Sequence, residues 1–190
     1  MDEFSYLSVL LSIIIGLAVT QLLTGMRGQM LARSRVRGFW PSQLWAGSLL
    51  VISTQVWWAM FDLRDRHDWV FAGFAILLAQ TIALYLLTGL VYPDFPAEET
   101  IDLRAHYFAQ RVHFFSLLAI APVLSVARDL VLNHALPGRE NLAFHGLFLA
   151  LAVSGLIVAR EAWHKVLAAF GAASIVCYVV FLFARLGGKG

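Results

Sequence analysis

The stretch Phe4 to Met26 reads FSYLSVLLSIIIGLAVTQLLTGM, 23 residues without a charge, and it decides the class of this protein. About 20 apolar residues at a helical rise of ~1.5 Å cross the ~30 Å hydrocarbon core of a bilayer. Five more uncharged, mainly apolar runs follow: Gly38 to Phe61, Trp69 to Pro93, Val112 to Ala127, Asn141 to Ala159 and Val166 to Ala184. The chain therefore reads as all-α, a transmembrane bundle of six helices in a single domain spanning residues 1–190. Spans are expected near residues 4–26, 40–61, 69–92, 111–132, 142–160 and 165–185.

Composition points the same way. Hydrophobic residues make up 60% of the chain and charged residues 14%, against about 25% charged in an ordinary soluble domain. The longest stretch between runs, Asp94 to Arg111, leaves no room for a soluble catalytic or nucleic-acid-binding domain. The expected partners are the lipid bilayer and, within it, a second copy of the chain or other membrane helices, with no nucleic acid among them. Met1-Asp2-Glu3 is not a basic n-region and no small-residue cleavage site follows, so helix 1 is expected to stay attached. The single cysteine, Cys177, has no intrachain partner and reads as a small packing residue.

The first loop carries Arg27, Arg33, Arg35 and Arg37 with no acid among them. Positive charge marks the cytoplasmic side, so both termini are expected outside an inner membrane crossed six times. Arg64 and Arg66 sit among Asp62, Asp65 and Asp68 in the second loop, and Arg185 and Lys189 follow the last span, so these votes are weaker. Trp40, Trp57, Trp58, Trp69 and Trp163 fall near run ends, as an interfacial aromatic belt requires. Pro41 suits the first turn of helix 2, Pro93 and Pro96 close helix 3, and Leu136-Pro137-Gly138-Arg139 turns between helices 4 and 5. Glu98 to Arg111 reads as an interfacial helical lead-in to helix 4, and Arg160 to Lys165 as a tight link between helices 5 and 6. Three spans per half invites comparison with inverted-repeat transporters, although no residue-level repeat is visible.

Six strings carry a resemblance: Tyr6-Leu7-Ser8-Val9-Leu10-Leu11-Ser12, Gly16-Leu17-Ala18-Val19-Thr20-Gln21-Leu22-Leu23, Phe39-Trp40-Pro41, Gln55-Val56-Trp57-Trp58, Phe61-Asp62-Leu63-Arg64-Asp65 and Asp102-Leu103-Arg104-Ala105-His106-Tyr107-Phe108. They resemble a family of small bacterial polytopic integral membrane proteins, called hypothetical, to which no activity is attached. The resemblance covers roughly the first 115 residues and implies a bacterial inner membrane. It assigns no site residue.

Candidate residues come from polar groups placed where water is absent. Helix 1 carries a four-residue ladder, Ser8, Ser12, Gly16, Thr20, Thr24 and Gly28, whose small side chains form a ridge along which another helix can approach closely. Shorter ladders recur as Ala75, Ala79, Ala83; Gly146, Ala150, Ser154; and Ala169, Ala173, Cys177. The amides Gln21, Gln43, Gln55 and Gln80 lie within runs and need partners, as interhelical ties or as ligands of a solute or ion. Helix 4 has the shortest run, so completing its span draws in Arg111 at one end or Arg128 and Asp129 at the other. As neighbours in sequence, Arg128 and Asp129 point ~100° apart and are expected to neutralise one another poorly. His145 lies at a similar depth, Ser125 one turn back, and Pro122 beneath. Ion or substrate candidates are therefore Asp129, Arg128, His145, Gln55, Gln80 and Gln21. The six histidines show no ligand spacing, Cys-x-x-Cys and His-Glu-x-x-His are absent, and no metal or cofactor is expected. No nucleophile is visibly paired with a base, so an enzyme acting on lipid or quinone ranks third, with no catalytic residue assigned. A small transporter or channel-like protein for a proton, ion or small solute ranks first. A nonenzymatic accessory or assembly subunit that binds other transmembrane helices ranks second.

Overall fold

The computed structural model describes residues 3–96 and 99–183, with side chains to Phe181. Met1, Asp2, Ala97, Glu98, Leu182 and Phe183 side chains, and Arg185 and Lys189 after the last span, lie outside the described residues. The chain forms six long helices, α1 (Glu3–Leu31), α2 (Trp40–Ala59), α3 (Phe71–Gly89), α4 (Leu103–Asn133), α5 (Arg139–Ile157) and α6 (Glu161–Phe183), each long and apolar enough to cross a membrane. A 3-10 turn, Met60–Leu63, continues α2. Large apolar side chains stay exposed on the outer faces, among them Ile13, Leu17, Val123, Ile157 and Phe181. A surface of that kind belongs in lipid, and the protein is a multi-pass membrane protein.

Local sequence sets the helix ends. Pro41 sits in the first turn of α2, where its missing N–H costs nothing. Asp102 caps α4, its carboxylate accepting from the amides of Arg104 at 2.9 Å and Ala105 at 3.0 Å. The cap explains why α4 starts at Leu103 and takes in what the sequence presents as a separate lead-in; the apolar run was short because this helix carries polar residues at both ends. His134 ends α4 in the left-handed region at φ 49°. α6 begins at Glu161, so the expected link Arg160 to Lys165 shrinks to Val158 to Arg160 and its remainder is helical.

The helices close into a ring in the order α1, α3, α4, α5, α6, α2 and back to α1. α4 lies between α3 and α5, whereas α1 lies between α3 and α2, so the two halves of the chain are not arranged alike and the inverted-repeat comparison fails on neighbour order. Two loops on one face are tied by a short parallel pair, β1 (Val36–Arg37) against β2 (Ile101–Asp102), in register Val36 to Ile101 and Arg37 to Asp102. Arg35 clamps this joint, its Nη1 donating to the carbonyls of Pro96 and Glu99, each at 2.9 Å. On the opposite face Arg66 joins the second loop to the end of α4 through Asn133 at 2.7 Å. Alternating helices put these contacts on the two faces that six spans require.

The helix 1 ladder does not pack within the ring. α1 buries Leu11, Ile15, Ala18, Leu22 and Gly25, a different face. Gly16 has open space where a Cβ would go, and Thr20 satisfies its hydroxyl on the carbonyl of Gly16 at 2.8 Å. Of the six ladder positions, Gly28 alone abuts a ring, that of Phe95. Gly25 is where α1 needs a missing side chain, because a Cβ there would strike the Tyr92 ring. The ladders on α5 and α6 also turn outward at Gly146, Ala150, Ala169, Ala173 and Cys177, so Cys177 is exposed rather than packed. We expect Gly25→Ala to destabilise the purified protein by about 1–3 kcal/mol through overpacking, and Gly16→Ala to leave its thermal unfolding unchanged; melting curves in detergent compare the two.

Candidate functional site

Inside a bilayer each hydroxyl, amide and charge must find a partner in the protein. Most hydroxyls here use the preceding turn of their own helix: Ser53 donates to Leu49 at 2.7 Å, Thr81 to Leu78 at 2.9 Å, Thr88 to Tyr85 at 2.8 Å and Ser174 to Phe170 at 2.8 Å, all to backbone carbonyls. Gln21 leaves the candidate set for another role, tying α1 to α3 by donating to the Tyr85 hydroxyl at 3.1 Å on the outer part of the ring.

Three buried atoms without a hydrogen-bond partner among the described residues, Ser42 Oγ, Gln43 Oε1 and Trp45 Nε1, lie on the first half of α2; a second polar group lies at the centre. Between the helices lies a partly open cavity of about 170 Å³ that is touched by all six. Its wall is mainly apolar, including Leu49, Leu84, Leu118, Phe148 and Ile175, and its polar members are Gln55, Gln80, Thr81, Ser125, Arg128, His145 and Tyr178. Four of the six residues singled out in the sequence thus converge: Gln55 from α2, Gln80 from α3, Arg128 from α4 and His145 from α5. Gln55, Gln80 and Ser125 have no hydrogen-bond partner among the described residues. Their polar atoms border the open space of the cavity rather than packed protein, so a bound molecule is free to complete them. Pro122, on the same wall, lacks the N–H that would bond the Leu118 carbonyl, which adds an acceptor.

Asp129 sits differently from expectation. It is buried, 8% exposed, but does not line the cavity. Its neighbour Arg128 does neutralise it: Nε and Nη2 reach Oδ1 at 3.0 and 2.9 Å. The ~100° between adjacent positions fixes only the Cα–Cβ directions, and the long arginine side chain bends back across that angle. The result is a paired charge whose guanidinium faces the cavity without net charge. His145, also buried, donates its Nδ1–H to the Asn141 carbonyl at 2.6 Å. In the neutral ring its Nε2 is then an acceptor. Tyr178 donates to Asn141 Oδ1 at 3.3 Å and packs edge-on to His145.

Toward the α1–α2 loop face the cavity ends on rings. Trp45 packs edge-on against Phe114 and Phe115, and beyond them Phe115, Tyr107, Phe108 and Phe39 pack around His164 and one another. Trp45 also forms a wall of a second pocket, of about 10 Å³, with Ser42, Gln110 and Arg111 on that side. His164 is wholly buried rather than interfacial, accepting at Nδ1 from the Tyr107 hydroxyl at 2.9 Å and donating from Nε2 to the Val158 carbonyl at 2.7 Å. Arg111 bonds the orphan carbonyls at the end of α5, Gly155 at 2.9 Å and Leu156 at 2.6 Å. None of Trp45, Tyr107 and His164 was singled out from the sequence; a tryptophan at mid-run rather than at a run end was the available signal.

Among the described residues no three His, Cys, Asp or Glu side chains come together to hold a metal ion. Compared with known proteins, the chain matches no family model, no curated protein and no solved structure. The Arg128–Asp129 pair predicts an asymmetric response to mutation. Asp129→Asn leaves a half-buried cation without compensation and should cost about 3 kcal/mol of stability, whereas Arg128→Met combined with Asp129→Asn should recover most of it; thermal unfolding of the three proteins measures both effects.

Proposed function

We propose that this chain is a small-solute carrier of a bacterial inner membrane, with the central cavity as its binding site. The observation that carries the reading is a ring of six membrane-crossing helices around a cavity whose unpartnered amides face inward. The bacterial membrane rests on the resemblance of the first ~115 residues to small bacterial integral membrane proteins. The arginine-rich first loop assigns the Trp45 side to the cytoplasm and the Arg128, His145 side to the exterior, with both termini outside.

A carrier fits this arrangement better than a channel. A channel needs one continuous path, and here Trp45, Phe114 and Phe115 divide the large cavity from the small pocket beneath it. The ring is most closely packed within α1, α3, α4, α5 and within the pair α2, α6, and is more loosely joined where α1 meets α2 and α5 meets α6. The pair α2, α6 holds Trp45, Gln55 and Tyr178, so rocking of this pair against the other four helices draws Trp45 away from Phe114 and Phe115 of α4 and carries two of the polar wall residues with it. Proteoliposomes loaded with a mixture of small uncharged solutes and followed by mass spectrometry should show saturable, protein-dependent efflux of some component. Ala121→Trp, which fills the cavity, should abolish it, and Trp45→Ala should turn it into an unsaturable leak. Efflux equal to that of empty liposomes for every solute would overturn the reading.

The outward ridge of α1 favours a second reading, an accessory subunit that binds other membrane helices or its own copy. Ser8, Ser12, Gly16, Thr20 and Thr24 present a small-residue surface unused inside the ring, with open space at Gly16. On this reading Gly16→Leu leaves the melting temperature of the isolated chain unchanged but removes cross-linked assemblies in membranes. Unaltered cross-linking would set the accessory role aside.

A further inference from the structure

Resting on the reading of the cavity as a solute site, we infer that its ligand is an uncharged, benzene-sized molecule with an apolar body and one polar head that both donates and accepts hydrogen bonds. Size comes first. A cavity of about 170 Å³ is close to the ~150 Å³ apolar cavity known to accept benzene.

Charge comes next. Arg128 is the charged side chain on the wall, and Asp129, bonded to it through Nε and Nη2, cancels that charge beside the cavity. Gln55, Gln80 and Ser125 are neutral. An anion would have to compete with Asp129 for Arg128, and a cation would meet a guanidinium without a carboxylate on the wall. Either ion would also surrender its hydration to a mainly apolar surface. An uncharged molecule does neither.

The head group follows from the unpartnered atoms. Gln55 and Gln80 each offer an NH₂ donor and a carbonyl acceptor and Ser125 a hydroxyl, while His145 has Nδ1 committed to Asn141 and Nε2 left over. A purely apolar ligand would leave the amides of Gln55 and Gln80 and the Ser125 hydroxyl unpaired whatever the state of His145, so the site favours a head that pairs with them: a primary amide or a hydroxyl group bearing both functions. The body lies against Leu49, Leu84 and Ile175.

Four probes of one ring size separate the possibilities: benzamide, benzoate, benzylammonium and toluene, titrated at neutral pH into the purified full chain in detergent and read by calorimetry. Benzamide should bind at least about tenfold more tightly than each of the other three. Gln80→Leu and Gln55→Leu should weaken benzamide about tenfold while leaving toluene unchanged, and the wild-type series decides the matter even where a variant does not fold. Tighter binding of benzoate or benzylammonium, or toluene equal to benzamide, would overturn the inferred ligand class while leaving the cavity as a solute site. Failure of all four to bind the wild type would overturn both the ligand class and the binding site. Binding of benzamide without any efflux from proteoliposomes would uphold the ligand class and remove only the carrier role.

Discussion

The constraint on which this structure depends is the absence of water from the hydrocarbon core, which obliges the protein to complete its own hydrogen bonds. Nearly every choice of polar partner answers to it. Hydroxyls on α1, α2, α3, α5 and α6 bond carbonyls one turn back on their own helices, so they can face lipid or a neighbouring helix at little cost. The exposed carbonyls at helix ends are met from outside: His106 of α4 contacts the Leu90 carbonyl at the end of α3, and Arg111 of the same helix covers the end of α5. α4 is thus the polar seam of the bundle, flanked by α3 and α5. Its 31 residues carry groups that finish its neighbours.

Once those obligations are met, what is left unpaired becomes informative. On the outer surface Thr20 and Thr54 are bonded to their own helices. The centre is different. Gln55 of α2 and Gln80 of α3 come from the two helices on either side of α1 and border the same central space. The adjacent Arg128 and Asp129 bring polarity to the same wall without bringing net charge. Their pairing also removes the strongest argument for an ion pathway, because the carboxylate is occupied and sits behind the guanidinium rather than in the cavity.

The spans were legible in the sequence because a bilayer imposes one simple test, length of uncharged apolar run, that each helix passes by itself. Gln55, Gln80, Arg128 and His145 were legible for a related reason: polar residues at membrane depth are few, and type and depth alone single them out. The partners were not legible. Arg128 and Asp129 were misjudged because Cβ directions say little about where a flexible guanidinium ends. Which way the helix 1 ladder faces was not legible, because a four-residue period defines a ridge but not its direction, and the face buried within the chain is the one with Leu11, Ile15, Ala18 and Leu22. Trp45 meets Phe115, and Tyr107 and Phe115 meet His164, between helices far apart in the chain, and nothing local in a chain rich in aromatics distinguishes such a layer from scattered lipid-facing rings.

The aromatic layer and the polar chamber constrain each other. Rings close the α1–α2 loop side, and the one imidazole among them has both nitrogens committed, to Tyr107 and to the Val158 carbonyl. Trp45 Nε1 and, beside it on the small pocket, Ser42 Oγ are buried without a partner among the described residues, so the layer keeps polar atoms of its own. The chamber above is an apolar space with unpaired amides at fixed points. A molecule that satisfies those amides therefore gains most where it lies against them. On the proposed carrier reading, crossing requires the ring layer to part around a bound solute, and Trp45 stands at that boundary, with α4 on one side of it and α6, at Gly171, on the other.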